Sequence, residues 1–201
     1  VITRIRIYRF SGVSSDDTGN TRSSRRKLTH PTKLPFILNV QNVCHLISLC
    51  LKAIGKLPEF AKIIKPVRKT LKYMYHSTYT MEHFNYQHTQ LNILRGLEKP
   101  GKTRFTGVYH VGVSIQRGLP AFRAISHSST ALMFQVNLAK LIAIFSPYAR
   151  AIQCLESPHT TCSDVYLYWL AIVSQINHLL EGNTVTLRED TKAKLRAITN
   201  M

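Results

Sequence analysis

Acidic residues are scarce in this sequence. Ten Asp and Glu stand against 27 Lys and Arg in 201 residues, so the formal net charge is +17. A cationic excess of this size favours a polyanionic partner, and nucleic acid is the first expectation because a basic surface is the electrostatic footprint of phosphate binding. Two alternatives stay open: a basic surface without a dedicated ligand, and contact with an anionic membrane surface.

Other missing features narrow the class of protein. The four cysteines form no regular framework, which favours reduced thiols in the nucleus or the cytoplasm over a disulfide scaffold. There is no internal repeat, and the opening residues lack the charged and apolar regions of a signal peptide. The most apolar window, residues 131–145, contains Gln135, Asn137 and Lys140. We therefore expect a buried amphipathic helix there, and neither a membrane span nor a membrane partner.

The first quarter of the chain predicts a small α/β segment. Residues 1–13 mix isoleucines with arginines in a strand-like pattern that ends before Asp16. Thr18 can cap a short basic helix that runs through residues 22–27. The apolar run at 36–40 predicts a buried strand.

From residue 43 onward the apolar residues recur at helical spacing. They predict a helix over 43–54 that Gly55 ends, and a second helix that Pro58 opens. Residues 76–90 are polar and predict a loop with a helix beginning near Met81. Further helices are predicted at 108–125, 130–145, 163–180 and 187–198. The predicted fold class is α+β and predominantly α.

Two basic sets are candidates for contact with DNA phosphates. The first is a row on one face of the helix that Pro58 opens, and it comprises Lys62, Lys65, Lys69 and Lys72. The second lies on the short helix near the start of the chain, and it comprises Arg22, Arg25 and Arg26. Aromatic residues interleave neither set, so we expect contact without readout of base sequence. The alternative for each set is a solvated charged face.

Three motifs in order resemble the hAT superfamily of DNA transposases, in its fungal branch. They are DDTGNTR at 16–22, NVCHLI at 42–47 and GKTRF at 101–105, and KLPEF at 56–60 also fits the pattern. The resemblance covers essentially the whole chain. It implies a partial RNase H-like core segment at 1–55 and a helical insertion domain at 56–201.

The resemblance also implies candidate site residues. Asp16 matches the second of three acidic ligands that hold two divalent metal ions, Mg²⁺ or Mn²⁺, for DNA strand cleavage and transfer. The alternative interpretation of Asp16 and its neighbour Asp17 is a carboxylate pair that caps the following helix. Lys102, Arg104 and Phe105 match a segment that contacts DNA, where an aromatic ring meets an unstacked base. Phe105 stands where many relatives have Trp, and a core phenylalanine is the alternative.

The other two acidic ligands of the family have no match in this sequence. One carboxylate cannot assemble a two-metal site, so we expect that the chain alone binds no metal and does not cleave DNA. The sequence is compatible with three functions. The first is a truncated, catalytically incomplete transposase relative that keeps non-specific DNA binding. The second is a helical module for protein–protein interaction or self-association, and the third is a fragment of an active metal-dependent transposase. No small-molecule substrate is expected.

Overall fold

The computed structural model describes residues 11–34, 36–99, 101, 106–125, 131–182 and 185–200. Along these ranges the chain forms, in order, β1 (Gly12–Ser15), α1 (Gly19–Leu28), β2 (Leu38–Gln41), α2 (Val43–Lys56), α3 (Pro58–His76), α4 (Thr78–Gln90), α5 (Thr106–Ile125), α6 (Ala131–Leu155), α7 (Cys162–Glu181) and α8 (Glu189–Thr199). The chain divides into two units, Val1–Ile47 and Ser48–Met201, and the division falls inside α2. The structure is predominantly helical with a small parallel sheet, as the sequence predicts at this coarse level. The domain boundary after residue 55 stays a prediction.

The first unit contains a β–α–β arrangement. β1 and β2 pair in parallel, with Gly12 opposite Leu38 and Ser15 opposite Gln41, and α1 lies between them along the chain. The carboxyl ends of both strands therefore lie at the same edge of the sheet. Most of the strand predicted at 1–13 lies outside the described residues.

The prediction of a buried strand at 36–40 is only partly right. A strand forms at Leu38–Gln41, but all four of its residues are exposed, and Leu38 keeps 66% of its accessible surface. Ile37, immediately before the strand, is buried. An apolar run predicts a strand from its residues, whereas burial depends on whether other elements cover the strand.

In the second unit α6 lies at the centre of the helical packing. It packs against α3, α5 and α7, and its fully buried side chains include Leu138, Leu141, Ile144, Phe145 and Tyr148. The hydroxyl groups of Tyr148 and Thr199 lie 2.7 Å apart, which gives the buried phenol a partner on α8. Burial raises the pKa of Tyr148 well above its usual value, so the phenol is neutral at every physiological pH.

The sequence predicts a loop over 76–90 with a helix beginning near Met81, and the helix α4 is present but covers most of the segment. It begins at Thr78, where the Ser77 side chain accepts a hydrogen bond from the backbone N–H of Thr80 at 3.2 Å. Phe84 is its one buried residue, and its ring lies 4.8 Å from that of Phe122 on α5. A weakly amphipathic helix with a single large apolar anchor has little hydrophobic periodicity, which is why the sequence pattern resembles a loop.

The remaining predicted helices are present, but Gly55 does not end α2, which continues to Lys56. α6 extends ten residues beyond the predicted end at Phe145. Among the described residues, α6 alone is long and apolar enough to cross a membrane by length and composition. Core helices of soluble proteins meet the same criterion, and in this fold one side of α6 is buried by its neighbours.

Candidate functional site

Asp16 lies where the sequence predicts it, at the carboxyl end of β1 and before α1. It is half-buried, and within the described part of the chain its carboxylate takes part in no hydrogen bond or ion pair. Its backbone carbonyl accepts a hydrogen bond from the Thr21 hydroxyl at 2.6 Å, which fixes the turn between strand and helix. As far as the described residues go, the side chain can meet a cation or a polar group of a ligand.

Asp17 has a different environment and a structural role. Its carboxylate accepts hydrogen bonds from two guanidinium groups. Arg22 donates through Nε, at 3.0 Å, and through Nη2, and Arg25 donates through Nη2 at 2.6 Å. The bonds from Arg22, followed by the charges of both arginines, lower the pKa of Asp17 below its usual value. Neither this carboxylate nor the Thr18 hydroxyl caps the first turn of α1; the Thr18 hydroxyl pairs with that of Thr21.

Arg25 is not available to DNA. Only 3% of its side chain is exposed, and its Nη1 donates to the carbonyls of Ser15, at 2.9 Å, and Val40, at 2.8 Å. The guanidinium thus ties α1 to the last residues of both strands. We replace its predicted role in phosphate contact by this structural one, because a buried cation with three oxygen partners cannot reach a phosphate.

The other basic residues of α1 lie on its exposed side. An open hollow of about 310 Å³ runs along the helix. It is lined by Gly19, Arg22, Ser23, Arg26, Lys27 and His30. Arg26 and Lys27 are exposed and have no carboxylate partner among the described residues, whereas Arg22 shares its charge with Asp17. This side of α1 can accept a phosphate mainly through Arg26 and Lys27.

The lysine row on α3 is arranged as the sequence predicts. Lys62, Lys65, Lys69 and Lys72 are exposed, and none forms an ion pair with a carboxylate in the part of the chain that the structure describes. The opposite face of α3 is buried and comprises Phe60, Ile63, Ile64, Val67, Leu71 and Met74. Successive lysines are three or four residues apart, so their positions rise by about 4.5 to 6 Å along the helix. The row presents four unneutralised charges over roughly 15 Å of helix.

A set of exposed aromatic side chains on α4 was not found by sequence reasoning. Tyr79 and Tyr86 are 72% and 61% exposed, and His83 lies between them with its ring 4.2 Å from that of Tyr79. The spacing i, i+4, i+7 places all three on one face, opposite Phe84. The signal was present in the sequence, but it is visible only once residues 78–90 are known to be helical.

The described residues do not fit a two-metal centre. No group of three or more His, Cys, Asp or Glu side chains among them could hold a metal ion. Asp16 is a single carboxylate, and two-metal catalysis requires several acidic oxygens around both ions. The predicted DNA contacts Lys102, Arg104 and Phe105 lie outside the described residues.

Comparisons of this chain with protein-family models, with curated proteins and with solved structures find no match.

Proposed function

We propose that this chain binds DNA through the phosphate backbone, without readout of base sequence. The observation that carries the proposal is the lysine row of α3, where four exposed ammonium groups have no carboxylate partner among the described residues. Unneutralised charges on a rigid helix suit phosphate contact, because binding releases the counterions condensed on the nucleic acid. Arg26 and Lys27 of α1 provide a second set of contacts in the other unit.

The test is the salt dependence of binding to a duplex of arbitrary sequence, followed by fluorescence anisotropy. The four phosphate contacts of the row by themselves predict that affinity falls about 150-fold between 50 and 200 mM salt, and contacts by Arg26 and Lys27 would steepen the fall equally in every variant. Replacing Lys65 and Lys69 by Gln leaves two contacts in the row, and the expected fall is then about 12-fold. Lys52→Gln with Lys56→Gln is the matched control, because these lysines are exposed on α2 and the change in net charge is the same.

A salt slope that is equal in the wild type and the Lys65/Lys69 variant would contradict contact through the α3 row. An affinity that does not depend on salt would contradict phosphate binding altogether.

We further propose that the chain is a catalytically incomplete relative of the hAT transposases. The parallel β1–α1–β2 arrangement supports this proposal, because it presents the Asp16 carboxylate at the carboxyl end of β1, without a partner among the described residues, where a metal ligand could lie. The three motifs of the sequence support the same relation. One free carboxylate does not assemble the two-metal chemistry, so the proposal assigns this chain DNA binding without cleavage.

Incubation of supercoiled plasmid with the chain and Mg²⁺ or Mn²⁺ tests this second proposal, and we expect no nicked product. Nicking that disappears in Asp16→Asn would instead assign the chain to an active, metal-dependent transposase.

A second candidate function is a helical interaction module, which exposed apolar side chains favour. Tyr166, Leu167 and Leu170 on α7 keep between 46% and 65% of their surface exposed, and Leu132 and Met133 on α6 keep 68% each. Surfaces of this kind can mark protein–protein contacts. Sedimentation at increasing protein concentration separates the two functions, since self-association through apolar side chains persists at a salt concentration that releases DNA.

A further inference from the structure

Three aromatic rings lie on one exposed face of α4, beside exposed polar side chains such as Glu82 and Gln90. Tyr79 and Tyr86 lie seven residues apart, so their positions are separated by about 10.5 Å along the helix axis. The His83 ring contacts the Tyr79 ring edge-on between them. Met81, the aliphatic side chain of α4, packs on the opposite side against the core around Phe84. The face therefore offers flat rings without the aliphatic groups that a hydrophobic protein contact usually includes.

These rings are held on a fixed support. The buried Phe84 ring packs against Phe122, and a Cβ on Gly118 would lie only 2.9 Å from it. α4 thus lies as close to α5 as the absence of a side chain at Gly118 allows. A tyrosine on a fixed helix loses little conformational freedom when a ligand stacks on it, because only two side-chain torsions remain.

Tyr73 connects the aromatic face to the lysine row. The Tyr73 side chain is 62% exposed and lies one helical turn after Lys69 on the same face of α3. Its hydroxyl oxygen accepts a hydrogen bond from the Thr80 hydroxyl at 3.4 Å. The C-terminal part of the lysine row therefore meets the first turn of α4, next to Tyr79. Cations and exposed rings follow one another along these two helices.

The part of the sequence that forms most of α3 and all of α4 contains few acidic residues. Between Glu59 and Glu98 the sequence contains a single acid, Glu82, against six Lys and Arg. Glu82 lies on α4, is exposed, and has no cationic partner among the described residues. A polyanion bound along α4 would meet the unfavourable charge of Glu82, which provides a direct test.

We propose that the surface formed by the lysine row of α3 together with Tyr73, Tyr79 and Tyr86 binds single-stranded nucleic acid. The lysines contact phosphates, and the tyrosine rings stack on unpaired bases, which all have a π-face and need no specific sequence. In a duplex the base faces are already stacked, so the rings add nothing there. This inference rests on the proposed function, since both share the lysines, and it adds a preference for single strands.

The test uses the full chain, a mixed-sequence single-stranded oligonucleotide of about 20 nucleotides and the same sequence as a duplex, both followed by fluorescence anisotropy. Tyr79→Leu and Tyr86→Leu keep the side chains apolar and remove the stacking plane. Each is expected to weaken single-strand binding about fivefold or more and to leave duplex binding unchanged. Tyr166→Leu is the matched control, a tyrosine on α7 with 65% of its surface exposed, and it should change neither. Glu82→Gln should tighten both.

The outcomes separate this inference from the proposed function. If both tyrosine variants bind the single strand as the wild type does, while the Lys65/Lys69 variant loses affinity for both probes, the stacking surface is overturned and phosphate binding stands. If the wild type binds neither probe at low salt, both proposals fail. If Tyr166→Leu weakens single-strand binding as much as Tyr79→Leu does, the site does not lie on α4.

Discussion

Gly118→Ala tests the packing that holds the aromatic face of α4 in place. Gly118 lies in the middle of α5 and is buried. A Cβ at this position would approach Phe84 Cζ to 2.9 Å and Cε2 to 3.2 Å, distances at which one of the two groups must move. The Phe84 ring is confined, because the rings of Phe122 and His88 lie 4.8 and 5.5 Å from it. We therefore expect a loss of stability from a substitution that usually improves a helix.

Two opposing contributions set the magnitude. Replacing Gly by Ala inside a helix gains roughly 0.5–1 kcal/mol, since the unfolded chain loses freedom. Overpacking a confined core site costs roughly 1–3 kcal/mol. Because the Phe84 ring is confined, we place the cost in the upper part of that range, about 2–3 kcal/mol. The expected net change in the free energy of unfolding is then a loss of about 1–2.5 kcal/mol, which corresponds to a fall in Tm of about 2–10 °C for a chain of this length.

Gly112→Ala on the same helix is the matched control. There the added Cβ would meet Ile142 Cγ1 at 3.3 Å, which must shift by a few tenths of an ångström, and Leu138 Cδ1 at 3.5 Å, an ordinary contact. The gain in helix propensity is the same and the mild crowding by Ile142 offsets part of it, so we expect stability within about 0.5 kcal/mol of the wild type. Thermal unfolding followed by circular dichroism measures both variants. If Gly118→Ala is as stable as Gly112→Ala, α4 does not pack on α5 as described, and its tyrosines lack the fixed support.

The two remaining predictions concern the first unit, and each is measured by the hydrogen exchange of the backbone amides of residues 12–41. Arg25→Met removes a buried guanidinium that donates to Ser15, Val40 and Asp17, so the free energy of local opening should fall by roughly 1–3 kcal/mol. Arg26→Met, an exposed neighbour with the same change in charge, should leave exchange unchanged. Equal effects of the two substitutions would refute the structural role of Arg25. The pKa of Asp17 is lowered in the folded chain, so its carboxylate contributes stability above the unfolded pKa of about 3.9, and this contribution is lost as the pH falls through the lower folded pKa. The protection factors of these backbone amides should therefore be constant from pH 5 to 7, as estimated from these pKa values, and should be lower at a pH below these pKa values. If Asp17→Asn loses protection in acid to the same extent, this assignment is contradicted.

The contrast between α3 and α4 shows how far sequence patterns extend. The α3 stripe, from Phe60 to Met74, repeats at helical spacing, so both its buried face and its lysine face are predictable without a structure. α4 has one buried anchor, Phe84, and its remaining residues are polar or aromatic. Its helical state depends on the Ser77 cap and on contact with α5, which lies far along the chain. The aromatic part of the candidate site could therefore not be predicted.

Local spacing by itself determined the helical class of this protein, the ends of most helices, the lysine row and the place of Asp16 after a strand. These features depend on neighbours within a few residues, which the sequence shows directly. Only the tertiary structure decided that Arg25 is buried while Arg26 is exposed, and that the residues of β2 are exposed. It also decided that Asp17 pairs with arginines while Asp16 has no partner among the described residues. Each of those outcomes depends on which distant elements pack against a residue, and one-dimensional spacing does not contain that information.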